Sequence, residues 1–141
     1  MEGRKEEQVK KAKIKMHDIK TRENELVRLK EVIELNKFNI KNSNETLELI
    51  EKEQELAKVS RSIILDNFYK NKDKCDFKWE LSFEYWTNQK ELQIIQYAKE
   101  DIKTRTEVYN LKNKIKSYEL EIETANTQID MINEELSELK Q

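Results

Sequence analysis

The sequence predicts an all-α protein, a long antiparallel coiled-coil helical hairpin, and three observations carry that expectation. Charged residues make up 40% of the 141, proline is absent and the single glycine is Gly3, so nothing inside the chain forces a helix to break. Apolar residues recur three and four residues apart through both halves, the spacing that keeps one stripe of a helix facing a partner. Between the halves lies one polar stretch rich in Asn, Asp and Lys, Asn67 to Asp76, which is the best place for a reversal. High charge with modest hydrophobicity is also the signature of disorder. Here 27 basic residues nearly cancel 29 acidic ones and the apolar residues keep helical spacing, which argues for folding.

Arm one is expected over about residues 5 to 69. Its seam is Ile19, Leu26, Leu29, Ile33, Ile40, Leu47, Ile50, Ala57, Ile64 and Phe68, all in one heptad frame. Arg22, Asn36, Ser43, Gln54 and Arg61 interrupt that seam. Polar seam residues cost stability and disfavour other registers and oligomers, so they specify the pairing or mark a hydrated stretch. Val32, Leu35 and Phe38, then Leu56, Val59 and Ile63, lie off the stripe and widen the apolar face beyond what one partner helix covers.

The tip is expected over residues 70 to 77, with an extension to 87 as the alternative. Phe77, Trp79, Leu81, Phe83 and Tyr85 alternate with Lys78, Glu80, Ser82 and Glu84, a strand pattern. Asn88 with Glu91 also resembles a capping box, which would start the second helix later. Helical geometry groups Trp79, Phe83 and Trp86 on one face equally well, and helix is the preferred reading.

Arm two is expected over residues 78 to 140. Its last third has the clearest seam of the chain: Val108, Leu111, Ile115, Tyr118, Ile122, Ala125, Ile129, Ile132, Leu136 and Leu139. Earlier in the arm, Leu92, Ile94, Ile95, Tyr97, Ala98 and Ile102 broaden the apolar face. The whole chain, 1 to 141, reads as a single coiled-coil domain, expected to pair into a four-helix bundle in its middle. Residues 1 to 22 hold eight basic and four acidic residues, and 117 to 141 hold one and seven, so folding back is expected to lay opposite charges side by side.

Catalytic chemistry finds no footing in these residues. His17 is the sole histidine and Cys75 the sole cysteine, so neither a His-based triad nor a His/Cys zinc cluster can be built within one chain. No glycine-rich phosphate loop occurs, and a two-helix rod encloses little volume. The expectation is no enzyme, with no catalytic, cofactor-binding or metal-binding residues, no cofactor and no small-molecule substrate. No apolar run of membrane-spanning length occurs and the charged N-terminus lacks a signal-peptide core, so the chain reads as cytoplasmic, without membrane partners. Richness in Lys, Asn and Ile suggests an AT-rich bacterial or phage genome.

What remains is contact with protein. The sequence points to an interaction module (adaptor, scaffold or inhibitor) with protein partners and a homo-oligomeric state, a dimer being favoured. Two sets of residues are singled out: an aromatic tip of Tyr69, Phe77, Trp79, Phe83, Tyr85 and Trp86, and an oligomer or partner face of Val32, Leu35, Phe38, Leu56, Val59 and Ile63. The rival partner, nucleic acid, draws on the basic arm of Lys10, Lys11, Lys13, Lys15, Lys20 and Arg22 and on the basic-aromatic tip. A net charge of -2 argues against it. In length and outline the chain resembles small helical-hairpin accessory proteins of bacterial export systems, which implies a chaperone-like or export-linked role as the alternative. Trp86-Thr87-Asn88 stands where the W-x-G turn of one such family would fall, without its glycine, so no residue role is carried over.

Overall fold

The computed structural model describes residues 2–72 and 79–141, with side chains for 3–70 and 84–141. It is a two-helix antiparallel hairpin: α1 runs Glu2–Lys72 and α2 runs Trp79–Leu139. Helices of 71 and 61 residues need no special local signal beyond good formers (Lys, Glu, Leu, Gln) and the lack of breakers. Pairs three residues apart, Arg28 with Glu25, Lys37 with Glu34 and Lys58 with Glu55, brace the exposed surface of α1. Four threonines bond back along their own helices: the hydroxyls of Thr21, Thr104, Thr106 and Thr127 each donate to the carbonyl four residues earlier. From Trp79 onward the alternating aromatic stretch is helical, so helical grouping overrides the strand pattern there. Cys75 and Phe77 lie outside the described residues.

The contacts divide the chain into two units. Unit 1 combines residues 1–42 with 114–141 and has a conventional seam. Leu29, Ile33, Ala125, Ile132 and Leu136 form its buried cluster, with Ile19, Leu26, Ile122 and Ile129 packed against it. Leu29 is only 2% exposed. The register is visible in Arg22, whose Nε donates to Glu135 Oε2 at 2.5 Å, and in Lys140, 3.4 Å from Glu23. Asn36 is buried within this seam, yet its amide donates to the Val32 carbonyl of its own helix at 2.9 Å. That bond removes the cost of burying the amide without drawing on α2.

The same register departs from one expectation. With Arg22 level with Glu135, the last turn of α2 sits near Ile19, and residues 3–17 of α1 are all exposed. The basic arm from Lys10 to Lys15 therefore does not lie along the acidic end of α2. Among the described residues Arg22 and Glu23 bridge the charged ends, to Glu135 and Lys140.

Unit 2 comprises residues 43–113. Arg61 meets Glu100 and Asp101, and Phe68 meets Trp86, so rising numbers on α1 face falling numbers on α2. Its seam follows the sequence frame through Leu47, Ile50, Gln54, Ala57 and Arg61, then changes. Leu65 turns inward and Ile64 is left 41% exposed. An ideal helix drifts about 20° per heptad relative to a strict seven-residue repeat, and a four-residue step from Arg61 to Leu65 absorbs that drift.

Candidate interaction surface

In unit 2 the seam mixes polar with apolar side chains, and large apolar side chains also stand outside it. The positions turned between the helices include Gln54, Ala57 and Arg61 from α1 and Thr87, Lys90, Gln93, Tyr97 and Thr104 from α2, all half-buried. Ile50 is the sole buried apolar residue among the described residues of this unit, whereas unit 1 holds the entire apolar cluster. Small and polar seam residues do not fill the space between two backbones. A groove of about 650 Å³ consequently runs beside Ile50, Gln54, Ala57, Arg61 and Thr104.

Arg61 organises this polar interior. Its Nη1 donates to Asp101 Oδ1 at 2.6 Å and its Nη2 to Glu100 Oε2 at 2.9 Å, while the guanidinium lies 4.6 Å from the centre of the Tyr97 ring. The hydrogen bond to Asp101 raises the already high guanidinium pKa, burial opposes it, and Glu100 adds to the rise. Below this, the buried hydroxyl oxygens of Thr87 and Tyr97 have no hydrogen-bond partner within the protein. Tyr97, grouped by sequence with the broad apolar face of α2, thus faces inward.

The apolar residues are on the outside. Leu49, Leu56, Val59 and Ile63 of α1 are exposed, Leu56 to 71%, and Leu92, Ile95, Ile102 and Tyr109 of α2 are exposed, Ile102 to 56%. At about 100° per residue these positions fall on the side of each helix away from its seam. Their spacing is heptad-like in itself: Leu49, Leu56 and Ile63 are seven apart, as are Ile95, Ile102 and Tyr109. Leu49 and Tyr109 were not among the face residues picked out by sequence; that seven-residue spacing was the available signal. Of the remaining face residues, Leu35 and Phe38 are exposed in unit 1 and Val32 is half-buried.

At the tip end of unit 2 the described aromatics engage one another. The Trp86 indole N–H donates to the Phe68 carbonyl, and the ring meets Phe68 and Tyr69 edge-on at centroid distances of 6.3 and 5.9 Å. Lys90 donates to the Tyr69 hydroxyl and lies 3.9 Å from the centre of that ring. Trp86 therefore closes the hairpin, while Tyr69 and Tyr85 keep exposed surface. The side chains of Phe77, Trp79 and Phe83 lie outside the described set.

Among the described residues no group of three His, Cys, Asp or Glu side chains is placed to hold a metal ion. No described helix is long and apolar enough to cross a membrane. No family model, curated protein or solved structure matches the chain.

Proposed function

We propose that this chain is a non-enzymatic protein-interaction module that holds a helical partner on the outer apolar faces of unit 2. One observation carries the reading, the apolar stripes on the outer faces of that unit beside a partly polar seam. Eight large apolar side chains of the two stripes stand in water while Gln54, Arg61, Thr87, Lys90, Gln93 and Thr104 take seam positions. Exposed apolar stripes of this kind suit docking, because fully burying each large aliphatic side chain is worth roughly 1.5 to 3 kcal/mol. Heptad spacing on each stripe suits an incoming helix better than a loop or a sheet edge. The exposed parts of Tyr69 and Tyr85 extend the candidate surface toward the tip. Such a module serves as an adaptor, scaffold or inhibitor, according to what it brings together.

The test is a photo-crosslinking amino acid placed in turn at positions 56 and 102, with position 53 as a polar control, in cells of the native source. Protein adducts at 56 and 102 but not at 53 support the reading. Equal labelling at all three, or none, overturns it.

A second reading rests on residues 3–17, whose basic side chains are exposed along that segment of α1. Exposed lysines at this density bind polyanions, with affinity that falls steeply as salt rises. Binding of single-stranded oligonucleotide that is lost in a variant neutralising Lys10, Lys11, Lys13 and Lys15 would favour it. Binding unchanged by those substitutions would remove it.

A further inference from the structure

We propose that the partner on these faces is a second copy of the chain, with the outer face of α1 in one copy seated on the outer face of α2 in the next. This rests on the interaction reading above and names its occupant.

Charge is the first argument. Around the α1 stripe, residues 45–66, the exposed ionic residues are Glu45, Glu48, Glu51, Glu53, Glu55 and Asp66 against Lys52 and Lys58. Around the α2 stripe, residues 92–113, the exposed ionic residues are Lys99, Lys103, Arg105 and Lys112 against Glu107 and the Arg61-paired Glu100 and Asp101. An acidic flank and a basic flank attract, whereas α1 on α1 or α2 on α2 would set like charges together.

Spacing is the second argument. Run antiparallel, Leu49, Leu56 and Ile63 fall opposite Tyr109, Ile102 and Ile95, and Glu55 falls opposite Lys103. This is close to the register that sets Arg61 beside Glu100 and Asp101 within one chain. The two registers differ by three or four residues, so neighbouring copies stand side by side with an offset of about 5 Å, roughly one helical turn.

The geometry then fixes the kind of assembly. The two stripes lie on opposite outer sides of the hairpin, so a single contact buries the α1 face of one copy and the α2 face of its neighbour. Each end keeps one free face. Such head-to-tail contacts extend into a row or close as a ring, in place of a simple two-fold dimer. Four apolar side chains from each copy, with their flanks, give a contact at the small end of stable interfaces, which bury about 800 Å² per partner. Association is accordingly weak and depends on concentration.

Sedimentation velocity on the full chain over a concentration series is the experiment. The expected result is a mass that climbs past the dimer with concentration and falls with added salt. L56D and I102D, both at exposed positions, should each stay monomeric alone and combine one-to-one into a closed pair when mixed. A charge-swapped pair, E48K/E55K and K99E/K103E, should associate weakly apart and strongly together. Circular dichroism should find all variants as helical as the parent. A parent chain that stays monomeric overturns the proposal, as does I102D forming a dimer by itself. If the crosslinks at 56 and 102 instead hold a different protein, self-association falls and the interaction module stands.

Discussion

Arg61 on α1 and Asp101 on α2 are joined at 2.6 Å across a seam that is otherwise short of apolar side chains. With Glu100 as a second acceptor and Tyr97 under the guanidinium, this one side chain fastens the middle of the hairpin. Its side chain is 20% exposed, so solvent screens it less than the outer pairs.

Replacing Arg61 with Ala should cost about 1 to 2 kcal/mol in urea unfolding, combining a part-exposed ion pair and a cation–π contact. Arg61→Lys should recover only part of this loss, since an ammonium cannot fork between two carboxylates. Full recovery by lysine would show that charge alone is at work.

Leu29→Ala and Leu56→Ala should behave in opposite ways. The first removes a fully enclosed side chain from the unit 1 cluster and should cost about 2 to 4 kcal/mol. The second lies on the outer face and should change the stability of the dilute chain by less than about 0.5 kcal/mol. Thermal unfolding at low and high protein concentration separates them, because only the Leu56 variant should lose stability relative to the parent as concentration rises.

Tyr97→Phe should be neutral or stabilising by up to about 1 kcal/mol. The hydroxyl it deletes is buried without a partner, and such a group weakens the fold that contains it. A loss of stability in chemical denaturation would mean that the hydroxyl has a bound water as partner.

Glu25 supplies a pH test. The hydrogen bond from Arg28 holds its carboxyl below the ordinary value, and desolvation opposes this. Because the folded pKa is the lower one, the stabilisation is present above the unfolded pKa and is lost as pH falls through the folded pKa. Titration of the Glu25 side chain by NMR should find the midpoint depressed, and Arg28→Gln should return it toward that of a free glutamate.

Much of the hairpin was legible in the residues. All ten positions from Val108 to Leu139 turn inward, and so do Arg22, Asn36, Ser43, Gln54 and Arg61, the polar residues that interrupt the first stripe. Heptad spacing found them because the frame persists even where the residue type is wrong for a core. In the earlier part of α2 the apolar residues marked a broadened face and no seam. There the greasy positions, Leu92, Ile95 and Ile102, are on the outside, and Gln93, Tyr97 and Thr104 are within. Periodicity tells which residues share a side of a helix, but not which side the neighbouring helix takes when two sides compete. Asn36 was readable as a seam residue, whereas its bond to Val32 was not, since an amide can reach back along its own helix as easily as across.

The location of the buried cluster governs how the molecule must assemble in time. Among the described residues Trp86 meets Tyr69, 17 positions earlier, and Phe68, 18 earlier, while Arg22 and Glu135 beside the cluster are 113 apart. Closing the larger loop first costs roughly 1.5 kcal/mol more in chain entropy, so zippering begins at the tip and crosses dozens of poorly rewarded residues before reaching its reward. Refolding should therefore be slow for an all-helical protein, with a late rate-limiting step that responds to Leu29 and Ile132 and hardly to Gln54. A stopped-flow trace with the opposite sensitivity would place the nucleus in the middle.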